Sequence, residues 1–282
     1  MRIIKRKIKN IDYYYLQHSF REKGKVVTRD KYLGATIPRE VDRIKRDFRK
    51  EIQPNLYNRL ELIKKNFQED WGKLPLSIKK QQKAELAITF TYNTNAIEGS
   101  TISEAEVRGI ILDKESPSKS LRDIHEAEAH NAVFLEMLEQ RIPISNKLLL
   151  RWHKNIFNRS KPELAGKYRE YNVQVGSYKA PDYREVKKMM NQLIRFVNEE
   201  RDNINPVELA AIVHYRFEKI HPFADGNGRI GRLLMNHILW FSGYLILIIE
   251  YKKRNVYYKA LERDEEGFIT YYLRRYLTVH KG

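Results

Sequence analysis

Mixed runs of apolar and polar residues with few glycine or proline breakers fill most of the chain, and such runs are typical of helices. One helix opens at Ser103, where Ser-Glu-Ala-Glu forms a capping-box pattern. The other predicted helices cover residues 39–52, 56–69, 84–99, 119–139, 145–158, 182–200, 206–220, 228–242, 253–264 and 267–279.

Two segments show the alternation of apolar and polar residues that is typical of strands. Residues 13–21 and 24–34 predict a strand pair that turns at residues 22–24. Residues 171–175 predict a second, short hairpin with glycine on either side. The predicted fold class is therefore mainly α with small hairpins.

The chain of 282 residues is long enough for one large domain and a smaller one. We expect residues 1–75 to form a small α+β N-terminal region, with no assigned chemistry, and residues 76–282 to form a helical core. Hydrophobic residues make up 42% of the chain, which supports a folded core.

Several functional classes are excluded by composition. The chain has no cysteine, so it has neither a disulfide framework nor a thiolate metal site. No secretory signal follows the basic N-terminus, and the apolar run ILWFSGYLILII is too short to span a bilayer. A cytoplasmic protein without a membrane partner is the expectation.

The net charge of +17 favours a polyanionic partner. The basic residues are spread along the chain, and no zinc finger, RNA-recognition motif or basic zipper accompanies them. Nucleic-acid binding is therefore an alternative function, and a soluble basic surface that also attracts ATP is the simpler interpretation.

The most informative segment is residues 221–232, HPFADGNGRIGR, ahead of an apolar helical run. Pro222 disfavours helical geometry at the residue before it, so the preceding helix should end near Ile220. His221 then lies at the start of a loop, where its imidazole can take a proton from a hydroxyl. Asp225 offers the hard oxygen ligand that Mg²⁺ prefers.

The second half of this segment carries groups suited to phosphate. Gly226 and Gly228 let the backbone approach an anion closely, and the free N–H groups of the helix that follows favour phosphate. Asn227 can hydrogen-bond a phosphate oxygen. Arg229 and Arg232 lie one turn apart near the helix start and suit bidentate phosphate contacts.

HPFADGNGRIGR resembles the signature of the Fic family, HPFx[D/E]GNGRxxR, at every defined position. The resemblance extends from about residue 84 to the C-terminus. It implies a Fic-type helical core and a protein adenylyltransferase that moves AMP from ATP to a Ser, Thr or Tyr hydroxyl of a target protein, and pyrophosphate is released. Glycine at position 228, where kinase-type relatives carry lysine, favours nucleotidyl transfer.

The same resemblance implies a role for each motif residue. His221 is the base and Asp225 holds Mg²⁺. Residues 226–228 form the anion hole. Arg229 and Arg232 hold the outer phosphates of ATP.

Residues 94–99, TNAIEG, resemble the inhibitory motif of the same family, [S/T]xxxE[G/N]. The carboxylate of Glu98 can pair with Arg232 and take the place of the γ-phosphate, which would keep the enzyme inactive at rest. The same residue could position a water that removes AMP from a modified target. Without the signature downstream, the segment would read as an ordinary amphipathic helix that stops at Gly99.

Two further segments match the family less closely. Residues 166–181 resemble the flap that holds the target by strand addition, and a structural hairpin between two helices is the alternative. Tyr257 and Tyr258 match a helix that contacts adenine in relatives. No asparagine follows Asn255, although many relatives have one there, so a nucleotide donor other than ATP stays open.

The sequence thus favours a self-inhibited adenylyltransferase that also modifies itself and possesses a flap over its site. The alternative is an ATP-sensing regulatory or nucleic-acid-binding protein without transferase activity. A homodimer is left open.

Overall fold

A computed structural model describes residues 1–22 and 24–280. Lys23, at the centre of the first predicted turn, lies outside the described residues. The structure is mainly α-helical with small antiparallel sheets, as predicted. The chain divides into two compact units, Met1–Leu62 and the chain from Ile63 onward, whereas the sequence-based boundary is at residue 75.

The first unit contains an antiparallel sheet of three strands in the order β1 (Arg2–Ile8), β2 (Ile11–Glu22) and β3 (Lys25–Gly34). β1 was not predicted. It is joined to β2 by Lys9 and Asn10, which have φ of 47° and 64°. Tight hairpins of this kind usually carry Asn-Gly or Asp-Gly, so Lys-Asn gave no turn signal.

One face of the sheet is covered by the helix α1 (Val41–Ile52) and the residues after it. The Lys31 ammonium lies 5.5 Å from the centre of the Phe48 ring, and the His18 imidazole approaches the Gln53 amide at 3.4 Å. This face holds the small apolar core of the unit, which consists of Leu16, Phe20, Phe48 and Leu60.

The second unit is built from helices around a buried central one. α2 (Pro54–Lys73) crosses the boundary between the units. The helices that follow are α3 (Leu76–Ile97), α4 (Glu104–Arg108) with a π-helical turn (Gly109–Asp113), α5 (Leu121–Glu139), α6 (Asn146–Phe157), α7 (Tyr183–Glu200), α8 (Pro206–Ile220), α9 (Asn227–Phe241), α10 (Arg254–Leu261) after a 3₁₀ turn (Tyr251–Lys253), and α11 (Glu265–Val279).

α9 is the central helix, and almost every one of its residues is buried. It contacts α3, α5, α6 and α8, and α11 packs against α8. The N-terminus of α9 and the C-terminus of α8 meet at the signature segment, so the fold holds this segment between several helices.

Local sequence signals explain most helix ends. The predicted capping box is present: the Glu106 N–H donates to Ser103 Oγ at 3.2 Å, and the Ser103 N–H donates to the Glu106 carboxylate at 2.8 Å. α3 begins at Leu76, after Pro75, rather than near residue 84. Its first two turns are rich in lysine and glutamine and carry little apolar signal.

The second hairpin is also present, and its strands are shorter than residues 171–175. β4 (Gln174–Val175) pairs with β5 (Tyr178–Lys179), and Gly176 at the turn has φ of 57°, a conformation that glycine adopts without strain. No helix among residues 1–22 and 24–280 is both long enough and apolar enough to cross a membrane.

Candidate active site

His221 terminates α8 in a left-handed conformation, with φ of 50° and ψ of 60°. Residues other than glycine rarely adopt this backbone conformation, and those that do concentrate at functional sites. Its N–H donates to the Phe217 carbonyl at 2.9 Å, and its own carbonyl accepts from Arg169 Nε at 2.8 Å. The surrounding chain therefore fixes the backbone that presents the imidazole.

The protonation state of His221 suits a base. Burial lowers the pKa of the imidazole from its ordinary value, and a hydrogen bond with the Glu218 backbone opposes this effect only in part. A lowered pKa keeps the ring neutral at neutral pH, and only a neutral imidazole can accept a proton from a hydroxyl.

The loop between His221 and α9 is held by Asn227. Its side-chain oxygen accepts from the Phe223 N–H and its side-chain nitrogen donates to the Phe223 carbonyl, both at 2.8 Å. The Asn227 amide is therefore engaged by the loop, and it does not face an open site as the predicted phosphate contact would need. The sequence pattern cannot distinguish these two uses of an asparagine.

The N-terminus of α9 offers backbone N–H groups that can bind an anion. Gly226 precedes the helix with φ of 79°, and no side chain caps the first turn. Helix N-termini carry unpaired N–H groups and a partial positive charge, so the turn that begins at Asn227 and Gly228 suits phosphate oxygens.

Asp225 lies beside this turn, and two-fifths of its side chain is exposed. Its carboxylate pairs with Lys161 and accepts from the Gly226 N–H at 2.6 Å. Burial alone would raise the pKa of Asp225, but Lys161 and Arg229 outweigh it and lower that pKa. The carboxylate is therefore ionised at neutral pH.

The His153 side chain contacts the main chain of Asp225. No motif in the sequence indicated this residue. Its Nδ1 accepts from the Gly166 N–H at 2.9 Å, so the proton is on Nε2, which lies 3.0 Å from the Asp225 carbonyl. Burial lowers the pKa of His153 to about 4. A neutral histidine thus positions the loop.

Arg229 points into the core rather than into an open site. It pairs with Glu126 of α5, and its guanidinium lies over the Phe157 ring at 4.4 Å from the ring centre. It approaches Asn95 Oδ1 at 3.4 Å. Because Glu126 already neutralises it, Arg229 supports the site in this conformation, and a phosphate contact would require a change of partners.

Arg232 is bound from the end of α3. Its Nε donates to Thr94 Oγ1 at 2.8 Å and its Nη2 donates to the Glu98 carboxylate at 2.7 Å. Burial lowers the pKa of Arg232 and the charge of Glu98 raises it, with a net increase. The contact between Glu98 and Arg232 that the motif predicts is thus present.

Gly228 lies directly under the Glu98 carboxylate. A β-carbon at this position would overlap Glu98 Oε1 and would come within 2.8 Å of Arg232 Nη1. Only glycine leaves room for the carboxylate above the first turn of α9. Glu98 therefore occupies the space next to the proposed anion-binding turn.

The two predicted adenine contacts differ from each other. Tyr257 is buried, and its hydroxyl bonds to His214 Nε2 at 2.8 Å, so its side chain belongs to the core. Tyr258 is partly exposed, and its hydroxyl donates to the Ile97 carbonyl at 3.1 Å, next to Glu98. Of the pair, only Tyr258 is placed to contact a bound nucleotide.

The base of the flap is tied to the signature loop by Arg169, which carried no signal in the sequence. Among the described residues, the side chain of this buried arginine donates to main-chain carbonyls. They are those of Ile220 at 3.4 Å, His221 at 2.8 Å, Tyr171 at 2.9 Å and Pro181 at 2.6 Å. One side chain therefore fixes the hairpin relative to the histidine backbone.

The described part of the chain contains no group of three or more histidine and acidic side chains that could hold a metal by itself. Asp225 is an ionised, partly exposed carboxylate in the residue before Gly226, at the start of the anion-binding turn. A single carboxylate fits Mg²⁺ when nucleotide phosphates complete its coordination, and that ion would compete with Lys161 for the oxygens.

Comparisons with known proteins agree with this geometry. The model of the Fic/DOC family matches residues 143–239. The chain is 32% identical over 209 residues to the protein adenylyltransferase Fic of Nematostella vectensis, which covers 72% of this chain and 48% of that protein. It is 33% identical over 205 residues to the protein of the same name from Drosophila yakuba, which covers 69% and 40%. The chain thus spans about half the length of these relatives or less.

Solved structures give the same fold. A Fic domain-containing signalling protein from Bacteroides thetaiotaomicron superimposes with a TM-score of 0.70 at 26% identity, which covers 80% of this chain and 96% of that chain. Fic-1 (residues 134–508) from C. elegans superimposes with a TM-score of 0.70 at 27% identity, which covers 82% and 72%.

Proposed function

The chain belongs to the Fic/DOC family, and from this premise we propose that it transfers AMP from ATP to a Ser, Thr or Tyr hydroxyl of a protein. The hydroxyl oxygen attacks the α-phosphorus, the bond between that phosphorus and the β-phosphate oxygen breaks, and pyrophosphate leaves. The observation that carries the proposal is the neutral imidazole of His221, presented beside the uncapped N-terminus of α9.

Each group has a task that its surroundings support. His221 takes the proton of the attacking hydroxyl. The first turn of α9, which begins at Asn227, hydrogen-bonds phosphate oxygens through its N–H groups. Asp225 would hold Mg²⁺, which neutralises phosphate charge when it is bound. Arg232 would hold the terminal phosphate once Glu98 has left it.

Self-inhibition follows from the position of Glu98. Its carboxylate pairs with the guanidinium that would bind the γ-phosphate, and it lies against Gly228 of the anion-binding turn. ATP can therefore bind in its reactive arrangement only when this ion pair opens. The same carboxylate, once it is close to a modified target, could act as the base that hydrolyses AMP from it.

The target is recognised by the hairpin of β4 and β5. Val175 and its neighbours are exposed there, and an edge strand binds an extended segment through main-chain bonds with little demand on its sequence. Because this recognition is permissive, self-modification is expected as well. A cytoplasmic location of this protein stays a prediction from the sequence, and a homodimer stays open.

The test uses the full chain with Mg²⁺ and ATP labelled either at the α-phosphate or at the γ-phosphate. The proposal predicts that only the α-label becomes attached to protein, that pyrophosphate is released, and that His221→Ala abolishes the attachment. Transfer of the γ-label would identify a kinase instead. ATP that binds without transfer, in the wild type and in Glu98→Gly, would favour the ATP-sensing alternative.

A further inference from the structure

The N-terminal sheet has an open face opposite to the face that α1 covers. Cross-strand register places Arg6 opposite Tyr13. It also places Tyr15 opposite Tyr32, and Gln17 opposite Asp30 on β3. Residues in register share a face, and successive residues alternate between faces. These side chains therefore lie on the opposite side from Leu16 and the rest of the small core.

Three tyrosines form a cluster on this open face. The ring centres of Tyr13 and Tyr32 are 6.0 Å apart, those of Tyr15 and Tyr32 are 5.3 Å apart, and the Arg6 guanidinium lies 4.6 Å from the centre of the Tyr15 ring. Tyr32 is 57% exposed. We name this cluster, Arg6 with Tyr13, Tyr15 and Tyr32, the tyrosine face.

Polar groups continue the tyrosine face along the sheet. Arg2 donates to Gln17 Oε1 at 2.6 Å, Gln17 donates to the Asp30 carboxylate at 3.0 Å, and Ser19 and Thr28 share a hydrogen bond of 2.8 Å. Aromatic pairs alone would be explained as sheet stabilisation. Amide and hydroxyl groups arrayed beside exposed rings also offer hydrogen bonds to a ligand that stacks on those rings.

Charge distinguishes this unit from the rest of the chain. Residues 1–62 contain 17 lysines and arginines and 8 aspartates and glutamates, so they carry +9 of the total net charge of +17 in less than a quarter of the length. Arg2 and Arg6 lie on the open face by register and are exposed, with Arg6 paired to Asp30, and Lys9 is exposed at the turn between β1 and β2. The unit therefore attracts a polyanion independently of the proposed transferase site.

We propose that the tyrosine face binds single-stranded nucleic acid. Bases would stack on Tyr13, Tyr15 and Tyr32, and Arg2, Arg6 and Lys9 would attract the phosphates. Sheets that display aromatic rings among basic residues bind unpaired strands in this way, because every base has a stacking surface.

The aromatic rings of the tyrosine face distinguish single-stranded nucleic acid from other polyanions. An acidic peptide of aspartate and glutamate or a sulfated sugar offers charge without an aromatic base, and a duplex keeps its bases stacked on one another. An anionic membrane would also be attracted by charge. Dependence on the aromatic rings of the tyrosine face is therefore the signature of the proposed ligand.

The experiment measures binding of the full chain to a fluorescent 20-nucleotide oligo-U or oligo-dT by anisotropy, over a range of salt concentrations. We expect Tyr32→Ala to weaken binding about tenfold and Tyr15→Ala by a similar factor, since base stacking on an aromatic ring contributes at this level. Tyr32→Phe keeps the ring and should bind nearly as the wild type does. Affinity should also fall steeply with salt.

Tyr183→Ala is the matched control, because it removes a partly exposed tyrosine from the second unit and should leave the affinity unchanged. Melting temperature and α-label transfer show that each variant is folded. Absence of binding would overturn the proposal. Equal, ring-independent binding to duplex or heparin would overturn it too, as would ring-dependent binding to phosphatidylserine vesicles without binding to the oligonucleotide.

Discussion

Two arginines one turn apart on α9 meet glutamates in different surroundings. The pair of Arg229 and Glu126 is buried at both ends, with side-chain exposures of 4% and 6%. In the pair of Arg232 and Glu98 the arginine is 1% exposed, but 26% of the glutamate side chain reaches solvent. The same two residue types thus form one closed pair and one open pair.

The difference assigns different tasks to the two pairs. If either residue of the closed pair moved away, the other would remain in the core as an unpaired charge. The closed pair therefore holds α5 against α9. In the open pair, Glu98 can turn towards water and leave Arg232 to a phosphate. We therefore infer that the closed pair maintains the fold and the open pair regulates the site.

The largest expected effect comes from breaking the closed pair. Glu126→Ala leaves Arg229 buried without its carboxylate, and such losses cost about 3–5 kcal/mol of the free energy of unfolding. Denaturant unfolding measures it. Glu128→Ala is the control on the same helix, because that residue is partly exposed and pairs with Arg159 at 3.5 Å. It should change stability by no more than about 0.5 kcal/mol. A loss below about 1 kcal/mol for Glu126→Ala would remove the distinction between the pairs.

Glu218 is a third carboxylate near the same helix, and it sharpens the comparison because one of its oxygens is buried without a hydrogen bond from the described residues. That oxygen is Oε1, and burial raises the pKa of Glu218 to about 8 even though Arg232 opposes the rise. The folded state then binds more protons than the unfolded state between about pH 4.5 and pH 8, so stability falls as pH rises through this range.

Glu218→Gln tests this effect by removing the titration and keeping the shape of the side chain. At pH 5 the variant and the wild type should unfold at similar denaturant concentrations. At pH 8.5 the variant should be more stable, by an amount on the order of 3 kcal/mol. Parallel stability curves for the two proteins between pH 5 and pH 8.5 would show that Glu218 is not a buried neutral acid.

The smallest expected effect concerns Thr94, the uncharged residue that accepts a hydrogen bond from Arg232 of the open pair. Thr94→Ala removes the acceptor of the 2.8 Å bond from Arg232 Nε, so the guanidinium is held less firmly and ATP affinity should fall severalfold, the equivalent of about 1 kcal/mol. Thr94→Ser keeps the hydroxyl and should restore the affinity. Calorimetry in the Glu98→Gly background measures both, and equal losses for alanine and serine would count against a role for this bond.

The sequence predicted the mainly helical fold and the open pair, and the reason is locality. Helix ends such as Ser103 depend on a few adjacent residues, and Glu98 and Arg232 each lie in a short motif that resembles a known family. The closed pair could not be predicted in the same way. Glu126 is 103 residues from Arg229 in the chain, and it belongs to no motif that marks it.

Side-chain direction was the other part that the sequence could not provide. Asn227 and Tyr257 occupy motif positions, but one is engaged by the loop and the other by His214 in the core. Arg169 and Lys161 contribute to the site through tertiary contacts alone. Residue type and spacing indicate which chemistry is present, and packing decides which atoms face the ligand.

The most direct test of the account is the initial rate at which α-labelled ATP modifies protein in the wild type, Glu98→Gly and Glu139→Gly. Glu139 is an exposed glutamate at the end of α5, so its replacement controls for the glycine itself. The account predicts a rate about tenfold or more above the wild type for Glu98→Gly alone, which corresponds to about 1.4 kcal/mol of lost inhibition. It also predicts no label when His221→Ala is added. Equal rates in the wild type and Glu98→Gly would contradict it.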